Sequence, residues 1–296
     1  MKQTSTLTIL LLLAVPLPVN AQDFDQVRIQ VEQVSESIYM LMGAGGNIAV
    51  CVGEDGTFIV DDEYAPLTSK VVSAVAAITD DPVDFVINTH WHADHTGGNE
   101  SLGGAGAVIV SHGNSRRRME TDQFLETFDM RQEAYSKEGL PKITFDRSVQ
   151  FHVNGEIIDL IYLGHAHTDG DAIVFFRNSN VVHMGDVFVR YGLPFIDEPN
   201  GGSINGMIDV VNKVAELTDE NTVFIPGHGQ LSDRDDMLEF HDMLVKIRDE
   251  VQSLINQGRR YEEIAANNPA DGYPTGSVSN EVFLKLVYDS LANKKR

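Results

Sequence analysis

From residue 38 onward, short apolar runs alternate with polar breaks. The runs at 38–42, 48–52, 57–60, 85–88 and 107–110 are β-branched, and most are bounded by Gly, Asn or Asp, which is how strands read. The series continues at 151–153, 157–162, 173–176, 181–184 and 223–225. Helical periodicity enters later. Ile204, Met207, Ile208, Val211 and Val214 share one helical face, and Met237, Phe240, Leu244, Ile247, Val251 and Leu254 share another. Ser232 and Asp235 stand at the start of the second run and Gly258 at its end, which are start and stop signals. Residues 280–293 read as a last helix. The polar stretch 119–139 is helix-prone and interrupts the strands, as an insertion near a site would. This order predicts a layered α/β domain with two sheets inside and helices outside.

The chain begins MKQTSTLTILLLLAVPLPVNAQ. Lys2 precedes an apolar run at 7–15, and Val19-Asn20-Ala21 has the form of a cleavage site. Residues 1–21 therefore read as a cleaved signal peptide, followed by a single domain at 22–296 that is periplasmic or secreted. The apolar run is too short to span ~30 Å of hydrocarbon, and Pro16 and Pro18 interrupt it, so no stable membrane insertion is expected. The one cysteine, Cys51, allows no intrachain disulfide and sits in the apolar run NIAVCVG as an expected buried thiol. The net charge of −22 repels phosphates and argues against nucleic acid. The basic run Arg116-Arg117-Arg118 is too short to reverse that and reads as a solvated or ion-paired patch.

The chemistry concentrates in THWHADHTGGN, residues 89–99. His90, His92, Asp94 and His95 are all potential metal ligands. Residues two apart in extended backbone point to one side, so His90 and His92 can meet one ion. Asp94 and His95, beyond a turn, can reach a neighbouring one, and Gly97 and Gly98 would let the backbone pass close by. Three further polar groups also follow predicted strands: His167, Asp186 and His228. Loops held at strand ends by a rigid scaffold are where sites are commonly built.

These motifs resemble the metallo-β-lactamase superfamily. LGHAHTDGD (163–171), HMGDVF (183–188) and IPGHG (225–229) match further family motifs, in family order and at family-like spacing over about residues 35–245. The resemblance implies a four-layer αβ/βα sandwich. It also implies that His90, His92 and His167 hold a first metal, that Asp94, His95 and His228 hold a second, and that Asp186 bridges them. It places Asp61, in preference to Asp62, beside a ligating histidine as a partner for its other nitrogen. His165 competes with His167 for the third position, and Thr168 favours His167. Tyr191 is a candidate donor to a developing oxyanion. His183 reads as buried structure, and His112, His152 and His241 carry no assignment.

Imidazoles and carboxylates without thiolate suit zinc, with iron or manganese also possible. Two Zn²⁺ are the first choice, because hydrolysis needs no redox metal. The chain has no G-x-S-x-G elbow, so the implied nucleophile is a hydroxide held by the metals, with Asp94 orienting it or relaying a proton. The expected partner is a small molecule with a hydrolysable carbonyl: a lactam, lactone, ester or thioester. β-Lactamases of this family usually carry cysteine or serine where Asp186 stands. The aspartate is more like the lactonases and thioesterases. An iron-dependent sulfur dioxygenase and a non-catalytic periplasmic zinc-binding protein are the readings from other classes.

Overall fold

The computed structural model describes residues 23–292; the expected signal peptide lies outside them. In chain order the strands are β1 (Gln30–Gln33), β2 (Ile38–Met42), β3 (Ile48–Cys51), β4 (Thr57–Val60), β5 (Val83–Ile87), β6 (Val108–His112), β7 (Gln123–Leu125) and β8 (Met130–Gln132). They continue with β9 (Ile143–Phe145), β10 (Ser148–Val153), β11 (Glu156–Tyr162), β12 (Ala172–Phe176), β13 (Val181–His183) and β14 (Val223–Ile225). The helices are α1 (Thr68–Ala76), α2 (Ala93–Thr96), α3 (Asn99–Ala105), α4 (Gly113–Met119), α5 (Ile204–Leu217), α6 (Arg234–Asn256), α7 (Tyr261–Asn267) and α8 (Asn280–Ala292). One mixed sheet has the order β1-β2-β3-β4-β5-β6-β9, a second has the order β10-β11-β12-β13-β14, and β7 pairs only with β8.

The two-residue period of the strands sorts the apolar side chains into three cores. In the first sheet, Ile38, Met40, Ala49, Cys51, Phe58, Val60, Ile87 and Val110 face inward, where they meet Ile158, Leu160, Val174, Phe176 and Ile225 of the second sheet. The alternate residues Leu41, Ile48, Val50, Ile59, Val86 and Ile109 face the other way, onto Val71 and Val75 of α1 and Leu102 of α3. The second sheet turns Ile173, Phe175, Val182 and Phe224 outward, onto the apolar stripes of α5, α6 and α8. Helix, sheet, sheet, helix is the four-layer sandwich that the sequence implied. Strands buried on both faces read as continuous apolar runs, which is why they were legible.

Several elements differ from expectation. Residues 119–139 hold no α-helix beyond the last residue of α4, only a single 3-10 turn. They form the β7–β8 hairpin, joined by a turn at Glu126–Phe128 and by Asp129 at φ +48°. The stretch lacks an apolar stripe to hold a helix against a core, and Leu125 and Gln132 anchor it instead as buried points. β1 and β9 were missed. β1 is an edge strand of four exposed residues, so nothing imposed alternation on it. The start signal of α6 is shifted by one residue. Asp233 accepts from the Asp236 amide at 2.9 Å and Asp236 accepts in return from the Asp233 amide, a reciprocal cap. Cys51 is fully buried, and burial pushes its thiol up to about 11. The arginine run is ion-paired or hydrogen-bonded: Arg116 to Glu120, Arg117 to Asn114, and Arg118 to Asp169. Among the described residues, no helix is long and apolar enough to cross a membrane.

Leu160 sits between the sheets with no exposure. Leu160→Ala should lower unfolding free energy by about 2–5 kcal/mol in urea titrations. Val72→Ala, at a side chain 44% exposed on the outside of α1, should stay within about 0.5 kcal/mol of the parent.

Candidate metal centre

The sandwich delivers the candidate residues along one edge. His90 leaves the end of β5 in a bend, His92 follows in extended backbone at the start of α2, and Asp94 and His95 lie on the single turn of α2. His167 lies in the loop from β11 to β12, Asp186 in a turn just after β13, and His228 just after β14. The loops pass very close to one another. A Cβ on Gly227 would lie 2.0 Å from Asp186 Oδ1, so only glycine lets the His228 loop cross there. Gly97 and Gly98 serve elsewhere: they admit the backbone at Tyr64–Ala65 and the Asp62 side chain.

The ligand-type atoms converge in two sets. His90 Nε2 and His167 Nε2 lie 3.1 and 2.9 Å from His92 Nδ1. His228 Nε2 lies 3.2 Å from Asp94 Oδ2 and 3.3 Å from His95 Nε2. Asp186 stands between them. Its Oδ1 is 3.2 Å from His95 Nε2 and 3.4 Å from His228 Nε2, and its Oδ2 is 3.8 Å from His167 Nε2. All seven residues from the sequence therefore meet. The groups His90–His92–His167, Asp94–His95–His228 and His90–His95–Asp186 each keep their ligand atoms within 4.8 Å, as a metal ion requires.

The outward nitrogens decide the protonation of the inward ones. His167 Nδ1 faces the Phe195 carbonyl at 2.9 Å and must donate to it. His92 Nε2 donates to Asp197 Oδ2 at 3.0 Å. The Thr89 hydroxyl donates to Asp61 Oδ2 at 2.7 Å and so accepts from His90 Nδ1 at 3.0 Å. Burial, then the neighbouring imidazoles, hold His90 well below its ordinary pKa. Burial also takes His167 down to about 4. Three lone pairs thus point at one spot with no proton to share between them. A cation is what this arrangement accommodates, and neutral imidazole is the form that binds metal.

The second set is acidic. Burial opposes a charge on His95, but Asp186, Asp94 and Asp61 outweigh it and hold the ring well above its ordinary pKa. The Asp186 and Asp94 carboxylates likewise overcome burial at His228 and raise it to about 10. Two carboxylates and two imidazoles here draw positive charge, from protons or from a metal.

Neighbouring candidates also separate by position. Asp61 accepts from His95 Nδ1, the Thr89 hydroxyl and the Thr89 amide, each at 2.7 Å. Asp62 points away and accepts from the Gly98 amide at 2.8 Å. His165 is exposed near Tyr162 and is not in the cluster. His183 is buried and bonds the Asn47 carbonyl at 3.0 Å. His112 caps α4, and His241 pairs with Asp242.

Sequence reasoning missed Asp197, Thr89 and Glu63. Asp197 is an isolated carboxylate after Phe195-Ile196, with no spacing that ties it to a histidine. Glu63 is fully buried at φ +68° and accepts from the Gly45 amide at 2.8 Å. The centre opens onto a cavity of about 640 Å³, which Tyr64, Tyr191, Leu125, Phe128, Met130, Phe195 and Thr275–Ser277 help to line. Tyr191 lies on its wall, with the ring 5.4 Å from His228 and the hydroxyl 3.2 Å from Ser277 Oγ. The 119–139 stretch does stand near the centre, and Gln132 Nε2 donates to the Trp91 carbonyl at 2.9 Å.

Fold and cluster together define a protein with an open metal-type centre on an α/β sandwich. The family model of the metallo-beta-lactamase superfamily matches residues 43–228, and the chain belongs to that superfamily. It is 21% identical over 271 residues to the beta-lactamase-like protein 2 homolog of Caenorhabditis elegans, an alignment that covers 86% of this chain and 78% of the relative. Its fold is similar to a metallo-beta-lactamase from Pontibacter korlensis, with TM-score 0.62 and 15% identity over 73% of this chain and 99% of the other. It is also similar to the sec-alkylsulfatase Pisa1 from Pseudomonas sp., with TM-score 0.67 and 16% identity over 88% of this chain and 50% of the other.

If the cluster takes a divalent metal, Asp197→Ala should weaken its binding about ten- to a hundredfold, read with added Zn²⁺ by competition with a chromogenic chelator. An unchanged affinity would mean that Asp197 does not orient His92.

Proposed function

We propose that the protein is an exported hydrolase that uses two zinc ions to cleave a carbonyl compound: an ester, lactone, thioester or lactam. The observation that carries this reading is the convergence of three inward-facing imidazole nitrogens beside a second set of two imidazoles and a carboxylate, joined through Asp186. Structural zinc sites are closed by four protein ligands. This cluster instead faces a cavity large enough for a small-molecule substrate.

His90, His92 and His167 would hold one ion and Asp94, His95 and His228 the other, with Asp186 shared. A bound pair of divalent ions supplies Lewis acidity toward a carbonyl oxygen and makes water acidic near neutral pH. The chain's own residues do the rest. Thr89, Asp197 and the Phe195 carbonyl hold His90, His92 and His167 in the tautomer that leaves the inward nitrogen bare, and Asp61 holds the His95 ring from behind. Asp94, whose side chain is 20% exposed toward the cavity, accepts a proton from the attacking water and passes it to the leaving group. Burial, reinforced by Asp186, holds the Tyr191 phenol above its ordinary pKa, so it stays a donor for the developing oxyanion. Tyr64 lines the same cavity and offers a second phenol.

Two metal equivalents per chain are expected by elemental analysis, with chelation abolishing ester hydrolysis and Zn²⁺ restoring it. Asp94→Ala should cost about two to four orders of magnitude in kcat, the range for losing a positioned acid–base group. Full activity in that variant would remove Asp94 from the mechanism. One iron and no zinc per chain would replace this reading with the dioxygenase one.

A further inference from the structure

The end of the cavity remote from the metal-type cluster has a distinct chemistry. Leu125, Phe128 and Met130 come from the β7–β8 hairpin, and Phe195 from the loop before α5. The Phe128 and Phe195 rings meet edge to face at 4.8 Å, and the Phe195 ring lies 5.9 Å from that of His92. An apolar wall therefore runs from the cluster outward. Phe128 remains 40% exposed, so the wall faces open space and is not part of the core. Thr275, Gly276 and Ser277, between α7 and α8, add neutral groups. Among the described residues, the only charge on the lining outside the cluster is Asp129.

Among the described residues, no lysine or arginine lines this cavity. The nearby arginines are engaged elsewhere. Arg131 pairs with Asp122, Arg190 with Asp236 at 2.9 Å, and Arg118 with Asp169 at 2.6 Å. A carboxylate or sulfate on the remote end of a substrate would lose water against aromatic rings, gain no partner, and face Asp129 on a chain of net charge −22. An unpaired charge is costly to desolvate, whereas an apolar chain gains about 25 cal/mol for each Å² it buries.

We propose that the group flanking the scissile bond is uncharged and apolar, and that the hairpin wall, with Phe128 at its tip, selects it. The inference rests on the hydrolase reading above. It disfavours β-lactams, which carry a carboxylate, as preferred substrates.

The test compares the zinc-loaded protein on p-nitrophenyl hexanoate and on the p-nitrophenyl monoester of adipate, which has the same chain with a terminal carboxylate. The expected kcat/KM is about tenfold or more higher for the hexanoate, equivalent to about 1.4 kcal/mol. Phe128→Ser should lower kcat/KM for the hexanoate about tenfold more than for the acetate ester. Thr275→Arg, at an exposed position on the lining, should raise the adipate-to-hexanoate ratio about fivefold or more by supplying the missing cation. Equal rates for the two esters, or faster adipate hydrolysis, would overturn the proposal. Calorimetry with a pair of ketones that cannot be hydrolysed, 2-octanone and 7-oxooctanoate, separates the two ideas. No turnover of any ester with both metals bound sinks the hydrolase reading, while tighter binding of 2-octanone still supports the wall. Equal or tighter binding of 7-oxooctanoate removes the wall as a selector even if esters are cleaved.

Discussion

The His90 and His167 Nε2 atoms each lie about 3 Å from His92 Nδ1 with their lone pairs facing, and the rest of the centre exists to hold them there. Without a cation such an arrangement is repulsive. It persists because each ring is tied from behind, to Thr89, Asp197 or the Phe195 carbonyl, and because burial keeps His90 and His167 neutral. Asp61 extends the same logic to the second set, where its carboxylate holds both His95 and the Thr89 hydroxyl. One carboxylate thereby ties the two halves together.

The sandwich makes such constraint possible. Each sheet is covered on both faces, so the strands cannot shift without exposing one of three apolar cores. The loops leaving β5, β11, β13 and β14 inherit that rigidity. The cavity walls come from segments outside the sheets, the β7–β8 hairpin and residues 275–277. The metal-type cluster is thus built on the scaffold, and the remote surface of the cavity on its additions. Relatives with this fold can share the first while differing in the second, and shared fold alone does not carry a substrate.

Legibility followed the strength of the physical demand. Strands buried on both faces announced themselves as apolar runs and make up most of the ten that are readable within a few residues of their bounds; β10, exposed at every other residue, is legible only over its second half. β1 carried no signal because it is exposed along its whole length, and the hairpin carried little because two short strands paired only with each other bury few side chains. The seven cluster residues were readable because local spacing and family order both pointed to them. Asp197 was not, since it acts on His92 from 105 positions away and has no motif of its own. For Asp61 and Asp62, and for His165 and His167, local sequence offers only a preference. In the structure Asp61, at φ +64°, turns its carboxylate toward His95, and His167 reaches His92 while His165 stays exposed.

By itself the sequence determined the layering and the ligand types, because hydrophobic periodicity dictates which faces are buried and His/Asp chemistry dictates what can gather around a cation. Only the tertiary structure decided which nitrogen of each ring is bare, which carboxylates hold the rings, and what lines the cavity. Those are matters of distance and direction between segments far apart in the chain. Hydrogen bonds and desolvation act through such distances, and no local spacing encodes them.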